Sequence, residues 1–242
     1  MSKILTIVIT GFMNAHVTAI LEKMQTSDYV KLNSDFAFKL TNESERGALL
    51  IGAGKVEEYL EKLIVGLLPS KEKNYTSKLL NYPGPLSSFS GKIELPYAFR
   101  IFDERLYKSL TELRKLRNQA AHSSNSFSFD EIKENLEMIY DFEENFKEVI
   151  HKLSFDNLMK WKKIILKQAF ENSKLKNYDY EKLWHQHVPN PESNSSIQKQ
   201  LVVWKLAYGL TFICLKIEAI IDDYKFVIEK NKTWADYINS NA

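Results

Sequence analysis

Cys214 is the only cysteine in the chain. A single thiol excludes a disulfide framework and a thiolate zinc site, and it fits a reducing, cytoplasmic setting. Charge of one sign is also missing. The 33 lysines and arginines stand against 31 aspartates and glutamates, a net charge of +2. That excludes the global field of an obligate nucleic-acid binder, so any contact with RNA has to rest on a local patch. No stretch approaches the ~20 continuous apolar residues of a membrane span. The opening "MSKILTIVITGFMNAHVTAILEKM" is unlike a secretory signal, because Thr6, Thr10 and Gly11 interrupt its apolar run. The expectation is a soluble cytoplasmic protein without membrane association, residues 1–35 packing on the domain as a first strand or helix.

Glycine and proline are scarce, eight and six among 242 residues, and most of the chain reads with a helical period. The 44% apolar content suffices for one good core, or for a core with a helical extension. In "TNESERGALLIGAGKVEEYLEKLIVGLL", Leu49, Ala53, Val56, Leu60 and Leu63 recur at steps of three and four. Asn42 with Glu45 reads as a capping box for that helix, and Pro69 with Ser70 as its stop. Pro83, Gly84 and Pro85 force a turn, after which Ser87 or Ser88 can cap a helix. Asp103 caps "DERLYKSLTELRKLRNQAAH". Ser128 with Glu131 suggests a second capping box, for a helix through "DEIKENLEMIYDFEENFKEVIHKL" whose apolar face is Leu136, Ile139, Phe142, Phe146 and Val149. Further on, "LSFDNLMKWKKIILKQAF" reads as helical, "WHQHVPNPESNSS" as a loop, and "IQKQLVVWKLAYGLTFICLKIEAIIDDYKFVIEK" as a long apolar helix. There is no internal repeat and no low-complexity tract. The predicted class is all-α.

Arginine is rare beside lysine, with five of the 33 basic residues, so each one is informative. At ~100° per residue, Leu106, Leu110, Leu113 and Ala120 form one stripe, and Arg117 falls inside it where a leucine is expected. A guanidinium turned toward a core or an interface is costly unless it is paired or meets an anion. Asn118 and His122 are four apart, on one face, with His122 at the helix end. Two readings follow. Arg117 can clamp a phosphate while His122 works as general acid or base, a pair suited to metal-independent RNA cleavage in which the substrate's 2′-hydroxyl attacks the adjacent phosphate. Alternatively, Arg117 pairs structurally with Glu45, Glu57 or Glu94, and His122 bonds the last carbonyls of its own helix. The "HSSNS" run beginning at His122 either contacts a phosphate or only ends one helix and caps the next.

"NYPGPLSSFSGKIELPYAFRIFDERLY", with the "LTNESERGALLIGAGKVEEYLEKLI" helix before it, resembles the signature of the mannitol-repressor (MltR-like) family. Four elements occur in the family's order: Glu43 to Gly47, Gly84 to Ser90, Arg117 to His122, and Ser126 to Asp130. The resemblance spans about residues 36 to 150. That family is similar in turn to the HEPN superfamily of helical bundles, whose motif is an arginine, a polar residue, three residues and a histidine; Arg117, Asn118 and His122 match it without a gap. The resemblance implies an antiparallel helical bundle over 36–152; beyond it, residues 153–242 read as a helical C-terminal extension. It implies a homodimer with a composite site, acting on RNA as a metal-independent endoribonuclease in a toxin–antitoxin or antiphage system, with an antitoxin or other protein partner. His122 would be acid/base, Arg117 the phosphate clamp and Asn118 the residue that orients His122 or the scissile phosphate, with Arg114 and Ser123 as further substrate contacts. No metal or cofactor is implied. Members with degraded motifs act as regulators or interaction modules, which is the rival reading.

Three other features carry weaker signals. His185 and His187 are two apart, facing opposite ways on a helix, and no acid or cysteine completes a metal set. "GALLIGAGK" lacks Walker spacing and sits inside a helical pattern, where its small residues suit close helix packing. Lys160, Lys162, Lys163 and Lys167 flank Trp161 either as a small RNA-facing patch or as a solvated basic face.

Overall fold

The computed structural model describes residues 35–68, 73–123, 127–171, 180–188 and 190–230. The N-terminal segment, Pro69 with Ser70, and the start of the loop after Ser123 lie outside the described residues. Among the described residues the protein is helical throughout, with no strand. After a helical stretch over 35–41 come α1 (Glu45–Leu67), α2 (Lys73–Leu80), α3 (Phe89–Ala98) and α4 (Glu104–His122), followed by α5 (Lys133–Ile139), α6 (Phe146–Glu171), α7 (Tyr180–His187) and α8 (Ser195–Lys230).

Local chemistry starts three of these helices. Ser44 caps α1 by accepting from Gly47 N, Ser88 caps α3 by accepting from Gly91 N, and Asp103 caps α4 by accepting from Leu106 N. The expected Asn42–Glu45 capping box does not form. Asn42 Nδ2 instead donates back to Phe38 O at 3.0 Å, closing the stretch before α1. Gly84 is irreplaceable in the Pro-Gly-Pro turn for a steric reason. A Cβ there would stand 2.3 Å from Lys78 O, 2.4 Å from Leu79 O and 2.7 Å from Asn81 O.

The single long helix expected after the loop is two helices. α5 ends at Ile139, and the chain turns through 140–145, with Asn145 at φ 64, before α6 begins at Phe146. The break allows Tyr140, Phe142 and Phe146 all to be buried. Phe142 and Phe146 meet edge-on at 5.1 Å, and Phe146 meets Phe212 of α8 at the same distance. The Ser128–Glu131 capping box is also absent: Ser128 Oγ accepts from Asp130 N inside the preceding turn, and no side chain caps α5. "WHQH" belongs to α7 rather than to a loop, and the irregular chain begins after it.

The layers follow from which faces are apolar. α8 packs most extensively on α1 and next on α6, while α4 packs on α1, α3 and α5. Leu206, Ala207, Leu210, Ile213 and Ile217 of α8 share one cluster with Leu49, Val56, Leu60 and Leu63 of α1 and with Leu106, Leu110, Leu113 and Ala120 of α4. Gly52 permits the α1–α8 approach, since a Cβ there would lie 2.3 Å from Leu210 Cδ1; Gly54 faces open space and plays no such part. Gly209 does the same for the Tyr140 ring, 2.5 Å from where its Cβ would be. A second cluster joins Leu158 of α6 to Ile197, Leu201 and Trp204 of α8. By length and composition α8 would pass for a membrane span over 195–224, yet 67% of its most apolar window is buried inside the protein, the pattern of a core helix.

Candidate functional site

α4 carries the candidate site on its last turns. Its capping aspartate, Asp103, is held from outside as well. Lys216 of α8 donates to Asp103 Oδ2 at 2.7 Å, to Phe142 O at 2.9 Å and to Glu143 Oε2 at 3.1 Å. One ammonium therefore ties the start of α4 to the α5–α6 turn. On the core side, Leu106, Leu110, Leu113, Leu116 and Ala120 are buried as the stripe required. Glu112 is buried with them. Its Oε1 accepts from Asn135 Nδ2 of α5 at 2.7 Å and its Oε2 from Lys115 at 3.0 Å, which satisfies the carboxylate and braces α5 against α4.

Arg117 stands between Leu113 and Ala120 and is half-buried. Its Nη1 donates to Asn118 Oδ1 at 3.1 Å. Adjacent helical residues do not ordinarily face each other, so this bond draws the guanidinium sideways to the face that Asn118 occupies. His122 is exposed, on the same face as Asn118 one turn on. Ser123 ends the helix, its N–H bonding Gln119 O at 2.9 Å. Arg114 and Ser123 are both half-buried. The structure thus joins Arg117 to Asn118 directly and places His122 one turn from Asn118. No hydrogen bond links Arg117 to His122, and helix geometry sets the two about 140° apart around the axis.

The three acids that could have locked Arg117 are occupied elsewhere. Glu45 accepts from Phe129 N at 2.5 Å. Glu57 accepts from Lys92 at 2.7 Å. Glu94 accepts from the Tyr107 hydroxyl at 3.2 Å, beneath a Tyr97–Tyr107 stack with centroids 3.9 Å apart. Among the described residues no carboxylate pairs with Arg117 or Arg114, and His122 has no hydrogen-bond partner. Glu45 is a site-shaping residue that sequence spacing misattributed: rather than capping its own helix, it pins the chain that follows the candidate site. Lys92 is a second unexpected feature, a lysine 2% exposed between Glu57 and Glu61. Burial pulls its pKa down, but the hydrogen bonds and attraction of the two carboxylates outweigh burial and raise it.

The weaker sequence signals also find their places. Trp161 is taken up by packing, with its ring 6.4 Å from Phe38 and 6.2 Å from Trp204, and Lys163 lies over Trp184 at 5.2 Å. The lysines around Trp161 therefore line a basic face whose central ring is already engaged. His185 is exposed on α7, and no group of three metal-ligating side chains occurs among the described residues. Compared with known proteins, the chain matches no family model, no curated protein and no solved structure.

Proposed function

We propose that this protein is a metal-independent endoribonuclease of the HEPN type, with an MltR-like bundle, acting as the effector of a toxin–antitoxin or antiphage system. The observation that carries the reading is the state of Arg117: a half-buried guanidinium with no carboxylate partner among the described residues, while the acids expected to neutralise it serve other groups. Such a group is ready for an anion. In the proposed reaction the 2′-oxygen of a ribose attacks the adjacent phosphorus and the bond to the 5′-oxygen breaks. The products are a 2′,3′-cyclic phosphate and a 5′-hydroxyl. His122 takes the 2′ proton or returns one to the leaving oxygen. Arg117 holds the phosphoryl oxygens as charge develops on them, and Asn118 orients the guanidinium. Arg114 and Ser123 contact the strand on either side. In a homodimer, two copies of the motif meeting in one cleft supply both the acid and the base.

One observation favours the rival reading, a non-catalytic regulator or protein-interaction module of the mannitol-repressor kind. The Arg117–Asn118 bond closes within one helix, as a purely structural arginine's would. Incubation with total RNA in EDTA separates the two. Cleavage that survives the chelator and disappears in Arg117→Ala and His122→Ala variants supports the ribonuclease. RNA left equally intact by wild type and variants, with an intact partner complex recovered from a host lysate, supports the module.

A further inference from the structure

α6 is longer than the core it packs on. Its buried face is Phe146, Ile150, Ser154 and Leu158. α8 runs antiparallel along that face, Phe212 meeting Phe146 while Ile197, Leu201 and Trp204 gather round Leu158. Opposite Leu158, α8 is therefore close to its first residue, Ser195, yet α6 continues to Glu171, about 20 Å further at ~1.5 Å per residue. The apolar stripe continues with it. Trp161 and Ile165 extend the line from Leu158 at steps of three and four, and Ile164 lies beside them. Trp161 still rests against Trp204 and Phe38. Beyond it, Ile164 is 56% exposed and Ile165 43%, and Phe38 itself is 49% exposed. α7 does not cover them: its Trp184 lies under Lys163, which points to the opposite side of the helix from Trp161.

Single apolar side chains on a surface are ordinary, but a core stripe that runs on uncovered is not. Charge indicates what covers it. After Met159 the helix carries four lysines and one acid, Glu171 at its very end. Lys160 and Lys167 lie along one edge of the stripe, and Lys162 along the other, each about 100–120° round the axis from Trp161. Glu171 reaches Lys167 at 4.0 Å between two exposed side chains, a contact of little strength. Lys162 is half-buried, and burial with no carboxylate to offset it lowers its pKa. An apolar seam edged by cations is complementary to a helix whose own apolar seam is edged by carboxylates. RNA fits less well, because the Trp161 ring is already engaged and isoleucines offer no ring face to a base. A second copy docked about a two-fold axis would set lysines against lysines. We propose that the projecting end of α6 docks an acidic amphipathic helix of another protein, its apolar side chains on Ile164 and Ile165 and its carboxylates on Lys160, Lys162 and Lys167. This docking is independent of the chemistry at Arg117, and each can fail without the other.

Fluorescence anisotropy on the full chain tests it. The probe is a labelled synthetic helix of about three heptads, with leucine at the two seam positions and glutamate at most others. A scrambled peptide of the same composition keeps the charge and removes the seam. Oligouridylate and phosphatidylserine vesicles stand for a strand and a membrane. Saturable binding of the helix is expected, about tenfold weaker in Ile164→Ser/Ile165→Ser, about tenfold weaker in Lys160→Glu/Lys167→Glu, and about tenfold weaker for the scrambled peptide. All four substituted side chains are exposed, so both variants should melt with wild type and their loss of binding is not a loss of fold. No binding of the helix, equal binding of the scrambled peptide, or unchanged affinity in either variant overturns the assignment. It is also overturned if oligouridylate or the vesicles bind more tightly than the helix and lose that binding in the same variants, since the face then belongs to a strand or a membrane.

Discussion

Glu45 and Phe129, 84 residues apart, are joined by a hydrogen bond from the Phe129 N–H to the Glu45 carboxylate. The bond fastens the chain that leaves the candidate site to the first turn of α1. A buried amide that loses a charged acceptor costs ~1–3 kcal/mol. Glu45→Ala should therefore lower stability to urea by that amount and speed hydrogen exchange at the Phe129 amide. Glu45→Gln keeps an acceptor oxygen and should recover most of the loss. If exchange at Phe129 is unchanged in Glu45→Ala, the bond does not hold the segment.

Two glycines of α1 should respond oppositely to alanine. At Gly52 the new methyl meets the Leu210 side chain, and overpacking of this kind costs ~1–3 kcal/mol. Gly52→Ala should destabilise, and the Gly52→Ala/Leu210→Ala pair should show a favourable coupling in a double-mutant cycle. At Gly54 nothing lies within 4 Å, so alanine should stabilise by ~0.5–1 kcal/mol through helix propensity. Chemical denaturation of the four variants measures both effects.

Alkaline pH should unfold this protein. Burial raises Tyr59 and Tyr208 to about 12, with acidic neighbours adding to the shift of Tyr59, and it holds Tyr140 well above the usual tyrosine range. An unfolded tyrosine releases its proton near pH 10. Above that pH the native chain keeps protons that the unfolded chain has lost, so stability falls as pH rises. The loss runs from about pH 10 up through about pH 12. Lys92, also raised, adds to the fall in the same direction. Tyrosinate absorbance should rise in step with loss of helix. If these tyrosines titrate while the helix signal stays intact, the burial argument fails.

Cys214 should be inert in the folded protein. The residue is 4% exposed, and burial pushes the pKa of its thiol up to about 12, with the ammonium groups of Lys55 and Lys62 opposing only in part. Labelling by a disulfide reagent near neutral pH should follow global unfolding and accelerate with urea. Fast labelling in buffer alone would contradict the packing around α8.

The parts of this fold that are legible in sequence are those written in adjacent residues. The Asp103 cap of α4 and the leucine stripe behind it are local facts, and so is Arg117 interrupting that stripe. The division between α5 and α6 was not legible. Leu136, Ile139, Phe142 and Phe146 keep a helical period across it, so the spacing of these buried residues does not reveal the break. What decides is the burial of Tyr140 and the hold of Lys216 on Phe142 O, both set by α8 from far along the chain. Glu45 escaped for the same reason. A glutamate three residues after an asparagine satisfies the capping pattern, and nothing nearby shows that its partner is Phe129. Whether Arg117 has an acid partner is likewise a question that only the paths of α1 and α3 answer.

α8 completes the core on which α4 packs by way of α1, so the order of synthesis matters. During translation α4 leaves the ribosome well before α8, and until α8 follows, Asp103 lacks Lys216 and the α1 leucines lack their cover. The Arg117–His122 turn is therefore seated late, only once α8 has been made and has folded back over α1.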